Sequence, residues 1–315
     1  MNRLSSDEGA LHERGAPPSA SSTPDASSAR ERLGRFFARR MNRHGWAARR
    51  ELGQPAPGDD PLRQQLAASA SSTLRQGSGA FSWALRTGLV EDLASLAPGS
   101  ESLRDAVAPL LTLSGRAGAF GEGCTSARHG HRVCEHFIGG FFAVAPPSVR
   151  VAPATLPNGR AYRVESQARF AASCWILRAV LVAGAQDDAG VQRHLSSFGY
   201  LLEEWDRWED FLAPDLAFAA LGALAVAPER WRETRESLLR IVSGRQLRDG
   251  TWPKVDFFTA LDGLVALDHP TARDLLARAL PSLLQRQRED GSFGTVAPDE
   301  RGLIGLRVLS RVLGP

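Results

Sequence analysis

Two seven-residue stretches decide the fold: Gln246-Leu-Arg-Asp-Gly250-Thr-Trp252 and Gln287-Arg-Glu-Asp-Gly291-Ser-Phe293. In each, a Gln stands four residues before a Gly and an aromatic stands two after it. An amphipathic run precedes each copy and a mostly apolar run follows it, so the unit reads as a helical hairpin. The copies lie 41 residues apart, a period that points to a repeat architecture.

Weaker copies lie upstream at Gln76 to Phe81, Gly118 to Phe120 and Gly159 to Tyr162, and a degenerate unit around Trp205 and Trp208 fills the longest gap. Six hairpins are predicted. The pattern resembles the Gln-Trp repeat of the terpenoid cyclase and protein prenyltransferase superfamily, the squalene-hopene cyclase type of α/α toroid. The resemblance spans roughly residues 62 to 315 and is specific at the last two copies. It implies an all-α, (α/α)6 toroid in which Gln246 and Gln287 cap neighbouring helices and Trp252 and Phe293 stack between repeats.

The chain has 315 residues, 43% of them apolar, which suits one large core. Its basic balance comes from arginine, with Lys254 the only lysine against 37 arginines. That bias points to a high-GC bacterial genome more than to a nucleic-acid partner. Three cysteines make no disulfide framework, which fits a reducing cytoplasm. The N-terminal stretch lacks the apolar segment of a secretory signal.

Three regions are expected. Residues 1–28, rich in Ser, Ala, Pro and Gly, form a disordered leader. Residues 29–61 form a basic amphipathic arm and linker, with eight arginines between Arg30 and Arg50 and apolar positions at 33, 36, 37 and 41. Such an arm suits peripheral contact with an anionic membrane or with a phosphorylated substrate; the blander reading packs it across the outside of the toroid. Residues 62–315 form the toroid.

The helix after Trp252 is apolar nearly all round, hence buried, with Asp256, Thr259 and Asp262 on one broad face. A carboxyl facing a closed lumen is desolvated and becomes a proton donor near neutral pH. The resemblance implies that chemistry: class II terpenoid cyclases protonate an alkene with an aspartic acid and stabilise the cations with aromatic faces. The family's Asp-x-Asp-Asp acid motif is absent, so Asp256 and Asp262 are candidates by position alone. A helix cap for Asp256, and an arginine-paired or solvent-facing carboxylate for Asp262, are the blander readings.

Candidate aromatics for a substrate-lined cavity are Phe137, Phe141, Trp175, Phe218, Phe257 and Phe258. Glu165, Arg169 and Ser173 form a stripe that makes either a second polar wall or an intrahelical ion pair, with Glu165 a further acid and Arg169 a grip for an anion. Lys254 is a second cationic candidate. The densest ligand cluster is Cys124, His129, His131, Cys134 and His136. With Cys174 at a matching offset in the next repeat, it offers zinc ligands, as the prenyltransferase branch of the resemblance implies. Asp215 opens another inner helix as a default cap.

The reading is a small bacterial enzyme of specialised metabolism. It closes a ring in an isoprenoid or similar apolar substrate by acid initiation, with no cofactor required. A zinc-dependent transferase and a toroid kept for binding or scaffolding are the alternatives. A second subunit completing the site, hence a homo-oligomer, is compatible with a single helical domain.

Overall fold

The computed structural model describes residues 25–76, 83–119, 141–208 and 213–314. Their helices are α1 (Ala26–Ala38), α2 (Arg43–Glu51), α3 (Asp59–Gln76), α4 (Trp83–Leu96), α5 (Glu101–Leu111), α6 (Glu165–Val182), α7 (Ala189–Gly199), α8 (Leu202–Arg207), α9 (Asp215–Ala225), α10 (Arg232–Gly244), α11 (Phe257–Val265), α12 (Pro270–Gln285) and α13 (Pro298–Leu313). A small antiparallel hairpin, β1 (Ala154–Thr155) and β2 (Ala161–Tyr162), pairs Ala154 with Tyr162. No helix among the described residues is long and apolar enough to cross a membrane.

The architecture is the expected all-α toroid. Inner helices α4, α6, α9, α11, α13 and α2 pack in that order around a ring. Arg43 of α2 closes it, pairing with Asp92 of α4 at 2.6 Å, and Trp46 packs beside Leu96. The inner helices are apolar on most sides because both faces are covered. Ala217, Phe218, Ala220 and Leu221 of α9, for example, are all fully buried.

The glutamine repeats show how the outer ring is joined. Gln246 donates to Gly250 O at 3.0 Å and to Leu275 O of α12 at 2.9 Å, and accepts from Arg278 Nε at 2.7 Å. Gln287 does the same one repeat later: it donates to Gly291 O at 3.2 Å and to Ala29 O of α1 at 3.0 Å, and accepts from Arg32 Nε at 2.9 Å. The element following α12 around the outside is therefore α1. The arginine-rich stretch supplies α1 and α2, with Leu33 and Phe37 buried in the main core. Gly118 and Gly159 both fall in the connection from α5 to α6, and α4 packs directly on α6. The weak copy from Gly77 to Phe81 lies outside the described residues.

Gly250 and Gly291 are required twice over. Their φ angles are +81° and +88°, in the region that costs an L-residue about 1–2 kcal/mol. A Cβ on Gly250 would also stand 2.2 Å from Arg278 O, and one on Gly291 2.5 Å from Arg32 O. Gly99 has a similar φ of +74° with nothing near its missing Cβ. Gly250→Ala should therefore cost about 2–4 kcal/mol in urea unfolding, well beyond Gly99→Ala. Equal losses would mean that close packing of the turn is not what selects glycine.

Candidate functional site: a polar lumen with one raised acid

The inner ring encloses a cavity of about 250 Å³. Arg43 of α2, Glu91 of α4, Trp175 and Arg178 of α6, Asp262 of α11 and Glu300 of α13 contribute to its wall, and the hairpin tip, Leu156 to Asn158, closes one end. The indole of Trp175 stacks edge-on against Trp83, ring centroids 5.7 Å apart.

Most lumen charges are paired. Arg178 Nη1 meets Asp262 Oδ2 at 2.6 Å, and that carboxylate raises the guanidinium pKa further. Arg43 bridges Asp92 and Glu300. Burial would raise the Glu300 carboxyl, but a hydrogen bond with His44 and the charges of Arg43 and His44 outweigh it and hold the group at about 2. For Asp92 burial wins over the Arg43 contact, and its pKa rises.

Glu91 is different. It has no ion pair within bonding distance among the described residues, and burial pushes its carboxyl up to about 7 against the more distant pull of Arg43 and Arg178. The Trp175 indole nitrogen approaches it without reaching hydrogen-bond geometry. An acid half-protonated at neutral pH, bordering a cavity and facing an aromatic ring, can deliver a proton to a bound molecule.

The expected residues divide sharply. Asp262, Trp175 and Cys174 border the cavity; burial raises the Cys174 thiol well above its usual value. Asp256 does not: it caps α11, accepting from Thr259 N at 2.9 Å, with Arg301 4.0 Å away. Glu165 and Arg169 are turned away from the lumen. Glu165 accepts from Val151 N and Ala152 N, both at 2.9 Å, and these bonds and Arg169 outweigh burial to lower its pKa. Arg169 binds Glu165 and the carbonyls of Gly118, Ala145, Pro146 and Val149, so the pair clamps the segment before the β-hairpin.

Aromatic placement also differs from expectation, because the layer between inner and outer helices takes the rings. Phe141 is fully buried against Phe170 and His194, and Phe218 lies between Trp208 and Trp252. Phe258 packs on Phe293, and Arg286 covers Phe257. Lys254 is exposed with a φ of +62°, in the turn before α11. Asp215 is not a cap: its buried side chain takes Arg160 Nε at 2.6 Å. Phe137, Cys124, His129, His131, Cys134 and His136 lie outside the described residues. Among the described residues no three His, Cys, Asp or Glu side chains cluster as metal ligands.

Sequence reading missed Glu91, Arg43, Arg178, Asn158 and Glu300. One signal was present: Glu91-Asp92 interrupts the apolar run Leu89, Val90, Leu93 of a buried helix, a place where carboxylates are rarely found without a task.

No protein-family model matches the chain, and no curated protein matches it. Solved structures do. A Tyr-to-Phe variant of the type II terpene cyclase MstE from Scytonema, without ligand, aligns at 13% identity over 93% of this chain and 89% of its own, with a TM-score of 0.49. An Asp-to-Asn variant of the same enzyme, in complex with geranylgeranyl dihydroxybenzoate as substrate, aligns at 14% identity over 94% of this chain and 90% of its own, with a TM-score of 0.50. At that identity the likeness to the second structure shows the fold, and the fold is a terpenoid-cyclase-like α/α toroid.

Proposed function

We propose that the chain is a terpenoid-cyclase-like enzyme that protonates a carbon–carbon double bond of an isoprenoid-bearing substrate and closes a ring, with Glu91 as proton donor. The observation that carries this reading is the Glu91 carboxyl, raised to about 7 by burial at the wall of the lumen. Asp262, one of the two acids that position in the sequence offers, is tied to Arg178 and serves the wall instead. Trp175 offers a π face to positive charge developing in the substrate. The structural neighbour's substrate, geranylgeranyl dihydroxybenzoate, joins an isoprenoid chain to a polar head; a lumen with both paired charges and apolar patches at Leu156, Ala171 and Ala219 suits a molecule of that kind.

Atoms balance simply: the acid proton adds to the alkene, the cation closes the ring, and a different proton leaves to a base. The product is an isomer of the substrate. In D2O, turnover of geranylgeranyl dihydroxybenzoate should therefore yield an isomeric product one mass unit heavier, read by chromatography with mass spectrometry. Turnover without deuterium uptake would remove protonation as the initiating step.

One observation favours a second reading. At about 250 Å³ the lumen falls below the usual size of ligand sites, roughly 300–1,000 Å³, and ion pairs occupy part of its wall. A toroid retained for binding would hold the same probe without isomerising it.

A further inference from the structure

The two ends of the lumen are built differently. At one end the tip of the β-hairpin is fastened to three inner helices. Asn158 Nδ2 donates to Thr259 Oγ1 of α11 at 3.0 Å, Arg301 Nε of α13 donates to Asn158 O at 2.9 Å, and Arg160 Nε donates to Asp215 Oδ2 of α9 at 2.6 Å. Glu165 of α6 holds the strand's approach through Val151 N and Ala152 N. The tip is also wedged sterically: a Cβ on Gly159, at φ +85°, would stand 2.3 Å from Val296.

At the other end, where the inner helices have their C-termini, the wall reaches solvent. Ser95 near the end of α4 is exposed, and Val182, the last residue of α6, is 48% exposed. A second cavity of about 410 Å³ shares Arg178 and Arg307 with the first and continues to Val265 and Ser310, at the ends of α11 and α13. The Ser310 hydroxyl is buried there without a hydrogen-bond partner among the described residues.

We infer that ligands come in from this C-terminal mouth and that the hairpin tip is a fixed floor, with Leu156 and Pro157 setting how long a ligand the lumen accepts. The inference rests on reading the lumen as a ligand site, but it needs no turnover. The latches span four separate helices, and opening them would strand buried polar groups: Asp215 is fully buried, and its Oδ1 already lacks a partner among the described residues. Leu156 and Pro157 then present the apolar surface against which a chain end stops.

Cys174 borders the lumen and reports on both ends. In protein carrying Cys124→Ser and Cys134→Ser, the rate of Cys174 alkylation by N-ethylmaleimide at mildly alkaline pH is followed by intact mass. Val182→Trp, at the mouth, should slow labelling at least about ten-fold. Arg160→Ala should leave the rate within about two-fold, as should Thr259→Val, a gentler loosening of the latch that keeps side-chain shape. A ten-fold acceleration in either latch variant that keeps its helical circular dichroism, or no effect of Val182→Trp, would make the hairpin the door and overturn the inference.

The length rule has its own readout. Geraniol, farnesol and geranylgeraniol are compared for protection of Cys174. Leu156→Ala should move the best protector to the longer chain and Leu156→Phe to the shorter, and an unmoved optimum in both overturns the floor. Loss of deuterium-labelled turnover with these results intact would refute acid-initiated cyclisation while leaving the floor in place.

Discussion

Glu91→Gln should lower kcat/KM on geranylgeranyl dihydroxybenzoate by about 10²–10⁴-fold, the usual worth of a positioned proton donor, while leaving the fold more stable. Both effects come from the same carboxyl. Glutamine keeps the shape of the side chain and its place beside Trp175 but has no acidic proton. On the stability side, an ordinary Glu near 4.5 is pushed up to about 7 in the fold. Between those values the unfolded chain is ionised and the folded one is not, so stability falls as pH rises, and above about 7 the cost is complete. Two and a half pH units correspond to a ceiling of about 3 kcal/mol. Glu91 is only partly shielded from solvent, which screens part of it, so a gain of about 1–3 kcal/mol at pH 8 is expected from urea unfolding. A variant that loses both activity and stability would mark Glu91 as structural.

The pH profile gives the same assignment independently. An acid must be protonated to act, so kcat/KM should fall about ten-fold per pH unit above about 7. Arg43 pulls the Glu91 pKa down, and its removal also leaves Asp92 and Glu300 without their shared cation. Arg43→Gln should accordingly move the alkaline limb to higher pH. A limb that stays in place, or moves down, would show that another group sets it.

The fold was legible because its signals are tied to fixed geometric tasks. Gln246 and Gln287 bond equivalent pairs of carbonyls in successive repeats, one in their own turn and one on the next outer helix, and the glycines admit a neighbouring backbone that no Cβ would allow. The part played by α1 was harder to see, since Leu33 and Phe37 are its only large fully buried side chains amid a run of arginines. The lumen was less legible still. Helix α6 carries two polar stripes on an otherwise buried cylinder: Glu165, Arg169 and Ser173 hold loops, whereas Cys174, Trp175 and Arg178 face the cavity. Periodicity finds both and cannot rank them, because a toroid buries its inner helices on the outer side as well as the inner. The phenylalanines misled for the same reason: Phe141, Phe218 and Phe258 fill the layer between the two helix shells.

His194→Phe should remove a loss of stability that the wild type suffers between about pH 6.5 and pH 4. In the wild type the His194 ring is fully buried among Phe141, Phe142 and Phe198, centroids 4.6, 5.1 and 5.3 Å away, and among the described residues neither ring nitrogen has a hydrogen-bond partner. With nothing to stabilise the imidazolium, burial drives the pKa from 6.5 to about 3. Below about 6.5 the unfolded chain therefore takes up a proton that the folded chain refuses, and stability is lost as pH falls toward about 3. By pH 4 the loss from this one group is about 3 kcal/mol, a large share of the ~5–15 kcal/mol that holds a typical domain. Phenylalanine fills the aromatic cage and takes no proton. Urea midpoints at pH 7.5 should then differ little, while at pH 4 the variant should exceed the wild type by about 2–3 kcal/mol. Equal acid losses in both proteins would mean that the ring finds a proton-stabilising partner in solution, and the cage around it would have to be redrawn.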